Sequence, residues 1–168
     1  DLAARVQGIV HELDPSLELN IDSVAPSFCP VSGTDVASLS KYCVTLNPKF
    51  YPTEDYWGWR TRLTDYVNFI REGNDIDEPT ALKFIVELFG LKGLSKYKSI
   101  DELKAETLPV ELFRNEAEKA ADWFGDKRRV RPWIWIDYAS VDEIRNMVRG
   151  IADAGLEGAF FKQYSAAT

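Results

Sequence analysis

Four segments of the sequence end in residues that can do acid-base or nucleophilic chemistry. Asp22 ends the first apolar segment and Lys49 the second, while Asp137 and Lys162 end the third and fourth. A neighbouring ammonium group favours the ionised form of a carboxyl group, which suits a nucleophile or a general base. The two aspartates are therefore the candidate catalytic residues. Lys49 and Lys162 are the candidates for tuning their charge or for binding substrate hydroxyls.

Aromatic side chains accompany these polar ends and indicate a substrate class. The candidates for stacking against a ligand are Tyr51, Trp57, Trp135, Tyr138 and Tyr164. A flat aromatic ring gives a sugar ring, or another planar ligand, a large contact at small entropic cost. Trp59 lies instead on the apolar stripe of a predicted helix, which favours a place in the core. The pattern predicts a site for a glycan or another small polar substrate.

Hydrophobic patterning predicts strands that alternate with helices. The predicted strands span residues 17–23, 44–51, 132–138 and 158–164. Helical periodicity occupies residues 2–13 and 141–151, and Ser140 with Glu143 forms a capping box at the start of the second of these helices. Such alternation is typical of parallel βαβ units, so the predicted fold class is α/β with parallel strands.

The two faces of each predicted strand differ in polarity. In the first strand, Asn20 and Asp22 share one face while Leu19 and Ile21 share the other. A sheet buried between two helix layers would be apolar on both faces. A barrel accounts for the difference, because its outer face packs on helices while its interior and rim can carry polar groups.

A long helical stretch separates the second and third strands. Residues 52–131 contain three apolar helical faces, with a predicted loop at residues 90–99. An insert that leaves the carboxyl end of a strand is expected over the face where α/β proteins bind ligands. We therefore expect one (β/α)-barrel-type domain over residues 1–168, with a helical insert at residues 52–131.

The two strand pairs also carry a short internal repeat. Each pair has Ile-Asp in its first strand and Lys-x-Tyr in its second, with Asp-to-Lys separations of 27 and 25 residues. Equal βαβ geometry in the two pairs would place both Asp and Lys residues at equivalent positions.

The pattern resembles the C-terminal half of a (β/α)8 barrel of the glycoside-hydrolase-like kind. The similarity lies in the segments LELNIDSVAPSF, VTLNPKFYP, RPWIWIDYAS and GAFFKQYSAAT. In such barrels the late strands commonly end in P-x-x-Y and W-x-x-D/Y segments that face the sugar, as residues 48–51 and 135–138 would here. The resemblance implies that Asp137 matches a late-strand carboxylate. Two carboxylates about 5 Å apart would give retention of configuration, and about 6.5–9.5 Å would give inversion.

The resemblance also implies a missing partner. A full barrel has eight strands and about 250 residues, whereas this chain shows four strands in 168 residues. Half a barrel leaves two unpaired strand edges and an open interior, which natural proteins cover. We therefore expect a second chain, or the missing half of the barrel, beside this one.

Composition argues against several other classes of function. With 20 Lys and Arg against 27 Asp and Glu, the net charge is −7, so we expect neither a nucleic-acid nor a membrane partner. His11 is the single histidine, which excludes a Ser-His-Asp triad and a site built on several histidines. Gly-rich phosphate motifs are absent. We expect no metal and no cofactor.

Two other functions remain open from the sequence. The chain can be a noncatalytic α/β binding or scaffold module whose helical insert docks a protein partner. It can also be a lyase or aldolase in which Lys49 or Lys162 forms a Schiff base with a carbonyl substrate. A response of tryptophan fluorescence to oligosaccharides separates the first alternative from glycan binding, and borohydride trapping tests the second.

Overall fold

Strands and helices alternate along the chain in the order that the patterning predicts. The structure is a computed structural model that describes residues 2–53, 58–137 and 139–162. The strands are β1 (Asn20–Ser23), β2 (Thr45–Phe50), β3 (Trp133–Trp135) and β4 (Phe160–Lys162). The helices are α1 (Leu2–Leu13), α2 (Val36–Leu39), α3 (Trp59–Arg71), α4 (Glu78–Leu88), α5 (Ile100–Ala105), α6 (Val110–Phe124) and α7 (Val141–Asp153). Short 3-10 turns cover Pro26–Phe28 and Lys127–Arg129.

The four strands form one sheet in the order β1-β2-β3-β4, and every neighbouring pair is parallel. This confirms the α/β class with parallel strands alternating with helices. Each strand is shorter than its predicted segment, because ladder pairing covers only the part that faces a neighbouring strand. Asn20 is level with Thr45, for example, so residues 17–19 extend beyond the β1–β2 ladder.

The apolar face of the sheet packs against the helices. Leu46, Phe50 and Ile134 are completely buried on this face. Trp59 of α3 is also fully buried, and its ring meets the Phe50 ring edge-on at 6.4 Å between centroids. Phe113 of α6 packs on both rings, at 6.0 Å from Phe50 and 6.1 Å from Trp59. The predicted core position of Trp59 is confirmed.

The helical insert is part of this core. It contains the three predicted helices and also α5, which the patterning did not predict. Phe28, which follows β1 beyond its carboxyl end, contacts Trp59, Tyr66 and Phe89 of the insert at 5.3–5.8 Å between ring centroids. Helix α6 packs on β2 and α7. The insert therefore supplies the crossover helix between β2 and β3 and also packs against the loop that follows β1.

The internal repeat does not place its residues at equivalent positions. In β1 and β2, Asp22 is level with Asn47 and thus two residues before Lys49. In β3 and β4, Trp135 is level with Lys162, so Asp137 comes two residues later. The expectation of equivalent Asp and Lys positions is wrong, because similar sequence separations span crossovers that set different strand registers.

Among the residues described, no helix combines the length and the apolar character that crossing a membrane requires.

Candidate functional site

One face of the sheet carries polar and aromatic side chains from all four strands. We call it the polar-aromatic face, and it consists of Asn20, Asp22, Thr45, Asn47, Lys49, Trp133, Trp135, Phe160 and Lys162. Alternation along each strand puts these residues opposite the buried apolar face, and the register aligns them from strand to strand. The fold thereby places three predicted site residues, Lys49, Trp135 and Lys162, on the same face of the sheet as Asp22.

Asp22 is held by two neutral donors. Its Oδ1 atom accepts a hydrogen bond of 3.3 Å from the Asn47 amide Nδ2 and one of 3.0 Å from the Trp133 indole Nε1. Asn47 is on the neighbouring strand, whereas Trp133 is on β3, so its indole passes over β2 to reach β1. Asp22 remains exposed in spite of both contacts. Its carboxylate is therefore fixed in direction and open to a ligand.

Asp137 lies just after β3 and is partly buried. The Trp135 indole Nε1 donates to its Oδ2 atom at 3.5 Å. The ring of Trp135 in turn meets Tyr51 edge-on, with 5.1 Å between centroids. Tyr51 is only 2% exposed. Its place in the site is thus to support the indole of Trp135, because its own ring faces do not form an open stacking surface.

Lys162 lies near the indole rings of Trp133 and Trp135. Its Nζ atom lies 6.0 Å from the centroid of the Trp133 ring and 5.6 Å from that of Trp135, within the range of a cation-π interaction. Phe160 of β4 packs against the indole of Trp133, with 5.0 Å between the two ring centroids. Positive charge and aromatic surface therefore occupy the same part of the face.

The strand register offsets the two aspartates along the sheet. Trp133 is level with Lys49, so Asp22 lies four residues before the level of Trp135. Four residues of strand span about 13 Å. Asp137 lies beyond Trp135 in the same direction, held by that indole. This offset is between backbone levels, whereas the separations of about 5 Å and 6.5–9.5 Å in retaining and inverting glycosidases are between carboxyl groups.

Three predicted stacking residues cannot be placed. Trp57, Tyr138 and Tyr164 lie outside the described residues. The structure adds Asn47 and Trp133, which were not among the predicted site residues. Strand alternation puts both on the polar-aromatic face, but only the register shows that their side chains meet at Asp22.

The thiol of Cys29 is not a nucleophile at neutral pH. The side chain is buried, with 1% exposure, and burial raises its pKa to about 11. The nearby charge of Glu116 contributes to this raised pKa, and a hydrogen bond with Ser23 partly opposes it. The thiolate, which is the reactive form, is therefore scarce in the folded protein.

Two buried ionic networks have no counterpart in the sequence analysis. Glu116, fully buried, accepts hydrogen bonds from the Ser27 amide at 2.8 Å and from the Lys119 ammonium at 2.9 Å. Arg60 and Glu143 form a second buried pair, at 2.6 Å. Both networks join segments that are far apart in the sequence. No local sequence motif therefore predicts them. They hold the loops after β1 and β2 and are structural.

Within residues 2–53, 58–137 and 139–162, no three His, Cys, Asp or Glu side chains converge as a metal site would require. Comparison with family models, curated proteins and solved structures finds no match. The function has to be inferred from the site itself, because one fold supports many activities.

Proposed function

We propose that this chain is half of a (β/α)8 barrel and binds a glycan on its polar-aromatic face. The observation that carries the proposal is the hydrogen bond from the Trp133 indole to Asp22, which passes over β2. This hydrogen bond supports two arguments, one about the curvature of the sheet and one about the groups that would contact a sugar.

The shape argument starts from strand spacing. Strands separated by one intervening strand are about 9.6 Å apart in a flat sheet, and their side chains stand roughly perpendicular to it. A direct contact from β3 to β1 is favoured when the sheet curves toward the polar-aromatic face. In (β/α)8 barrels, side chains from alternate strands fill the same interior layer. Asp22 and Trp133 have this relation, which supports the proposal that the face is a barrel interior.

The chemical argument starts from what a sugar offers. Its hydroxyl groups donate to carboxylates and accept from ammonium and amide groups, while its C–H faces pack on aromatic rings. Asp22 and Lys162 supply the charged partners, and Trp133 and Trp135 supply the rings. The Oδ1 atom of Asn47, beside Asp22, is buried with no hydrogen-bond partner in the described structure. A ligand hydroxyl that reached this oxygen would satisfy it.

Glycan binding is tested by titrating the protein with a panel of soluble oligosaccharides, followed by tryptophan fluorescence and by calorimetry. We expect a saturable response, and we expect Trp135→Ala to weaken binding about fivefold, since a good aromatic contact contributes about 1 kcal/mol. Trp123→Ala is the matched control, because Trp123 is a partly exposed tryptophan on α6. A panel without any response would favour the noncatalytic protein-docking alternative. Equal loss in both variants would remove Trp135 from the site.

Hydrolysis requires a second carboxylate in addition to Asp137. We propose that Asp137 is the carboxylate closest to the scissile bond and that its partner comes from outside the described strands, because Asp22 is offset along the sheet. Asp137→Asn is expected to abolish turnover of a bound oligosaccharide and to leave its affinity within about threefold, since the amide keeps the shape but cannot transfer a proton. Product release by reducing-end assay measures this. Unchanged turnover would exclude Asp137 from the mechanism.

A further inference from the structure

The carboxylate of Asp22 is oriented by hydrogen bonds but carries no counter-charge. Both groups that donate to its Oδ1 atom are neutral, namely the Asn47 amide and the Trp133 indole. Within residues 2–53, 58–137 and 139–162, the ion pairs do not include Asp22. The residue is exposed on the polar-aromatic face. A cationic group of a ligand would therefore meet a negative charge that its own chain does not neutralise.

Beside this carboxylate, the amide oxygen of Asn47 also lacks a partner in the part of the chain that the structure describes. The Asn47 residue is only 5% exposed, and its Nδ2 atom is 3.3 Å from Asp22 Oδ1. The oxygen and nitrogen of one amide are about 2.3 Å apart, so the unpartnered oxygen lies within about 5.6 Å of Asp22 Oδ1. One ligand group between the two residues can donate to both of them.

A primary ammonium group meets the requirements of both oxygens. A hydroxyl has one hydrogen to donate, so it serves one of the two oxygens and leaves the carboxylate charge without a counter-charge. An ammonium has three donors and no acceptor, and it also supplies the positive charge. The net charge of −7 on the chain adds a long-range attraction for a cationic ligand.

The strand register separates negative from positive side chains along the polar-aromatic face. Asp22 is level with Asn47, and Lys49 comes two residues nearer to the carboxyl ends of the strands. Lys162 is level with Trp135, which is two residues beyond the level of Lys49. A ligand with one ammonium group therefore has one favourable orientation, with the ammonium toward Asp22 and its hydroxyl groups toward the lysines.

We infer that Asp22 and Asn47 form a subsite for a primary ammonium group, so that the glycan bound on this face is an amino sugar oligomer with free amines. The subsite rests on the proposed glycan function, of which it names the substrate class. Asp22 then selects the substrate, which is a different task from the proton transfer proposed for Asp137. The Trp133 indole holds the carboxylate in place for this selection.

Three tetrasaccharides that share a β-1,4-linked backbone test this subsite. The glucosamine tetramer carries ammonium groups at mildly acidic pH, its N-acetylated form carries neutral amides, and cellotetraose carries hydroxyls at the same positions. Calorimetry at about 0.15 M salt, where exposed charges more than about 8 Å apart are largely screened, gives the three dissociation constants. We expect the wild-type chain to bind the glucosamine tetramer about fivefold more tightly than the other two, as a favourable ion pair near the surface allows.

Two variants separate the subsite from a general attraction to negative charge. Asp22→Asn keeps the size of the side chain and one accepting oxygen but removes the charge, so we expect the preference for the glucosamine tetramer to disappear. Asp122→Asn is the matched control, because it removes the same charge from an exposed position of α6, which packs on the apolar face of the sheet. It is expected to keep the preference. Far-UV circular dichroism verifies that both variants are folded.

The possible results distinguish the ammonium subsite from the proposed glycan function. Equal binding of cellotetraose and the glucosamine tetramer by the wild-type chain would overturn the subsite and leave glycan binding standing. The same preference in Asp22→Asn as in Asp122→Asn would overturn it as well, because the attraction would then come from net charge. Equally tight binding of the N-acetylated tetramer would show that the selected group is not an ammonium. No binding of any tetrasaccharide would overturn the proposed function, and the subsite with it.

Discussion

Replacing Glu143 by alanine is expected to lower the free energy of unfolding by about 3–5 kcal/mol. The substitution leaves the guanidinium of Arg60 buried without its counter-charge. The side chains of the pair are only 9% and 8% exposed, and Arg60 Nη2 lies 2.6 Å from Glu143 Oε1. Urea denaturation followed by circular dichroism measures the loss as a shift of the midpoint.

The size of this effect follows from what the pair holds together. Arg60, at the start of α3, also donates to backbone carbonyls that belong to Pro52, Leu103 and Glu106. Glu143 completes the capping box of α7, where its Oε2 accepts from the Ser140 amide at 3.0 Å. One ion pair thus fastens the chain after β2 and the end of α5 to the start of α7. Removing either charge leaves the other one buried without its counter-ion, at a point where several segments of the chain meet.

Two further variants test whether burial is the cause. Arg60→Met combined with Glu143→Leu is expected to be more stable than either single variant, because no unpaired charge remains in the interior. Glu157→Ala breaks the partly exposed contact with Arg131 at 3.4 Å and is expected to cost less than about 1 kcal/mol. A loss for Glu143→Ala as small as that for Glu157→Ala would show that water screens the buried pair.

Replacing Gly150 by valine is expected to destabilise the protein by about 3 kcal/mol or more. Gly150 of α7 packs against α6. A Cβ atom at this position would sit 2.7 Å from the backbone nitrogen of Arg114, 2.7 Å from Phe113 Cβ and 2.9 Å from the Val110 carbonyl oxygen. Two of these three atoms are backbone, so relief requires the helices to separate and the buried contacts of Phe113 to loosen.

Gly8→Val is the matched control for this prediction. Gly8 is also inside a helix, α1, but a Cβ atom there meets nothing within 4 Å. The substitution is expected to change the free energy of unfolding by less than about 0.5 kcal/mol. Thermal melting of both variants makes the comparison. Similar stability of the two would mean that α6 and α7 can part without loss of packing.

The sequence determined the features that depend on near neighbours in the chain. The capping box of Ser140 and Glu143 is confirmed, because both partners lie within one helical turn. The alternation of strands and helices, the core position of Trp59 and the different polarity of the two sheet faces also follow from periodicity. Each of these is set by spacings of a few residues, so the sequence displays them directly.

The tertiary structure alone decided the contacts between distant segments. Arg60 forms an ion pair with Glu143, which is 83 residues away in the sequence. Trp133 donates a hydrogen bond to Asp22, which is 111 residues away. Both contacts depend on strand register and helix packing, which are collective results of filling one core. The internal repeat shows the limit clearly, since similar spacings gave registers that place Asp22 before Lys49 and Asp137 after Lys162. Periodicity predicted that α1 has an apolar stripe, but only the packing shows that the stripe is uncovered, because exposure depends on what every other element leaves free.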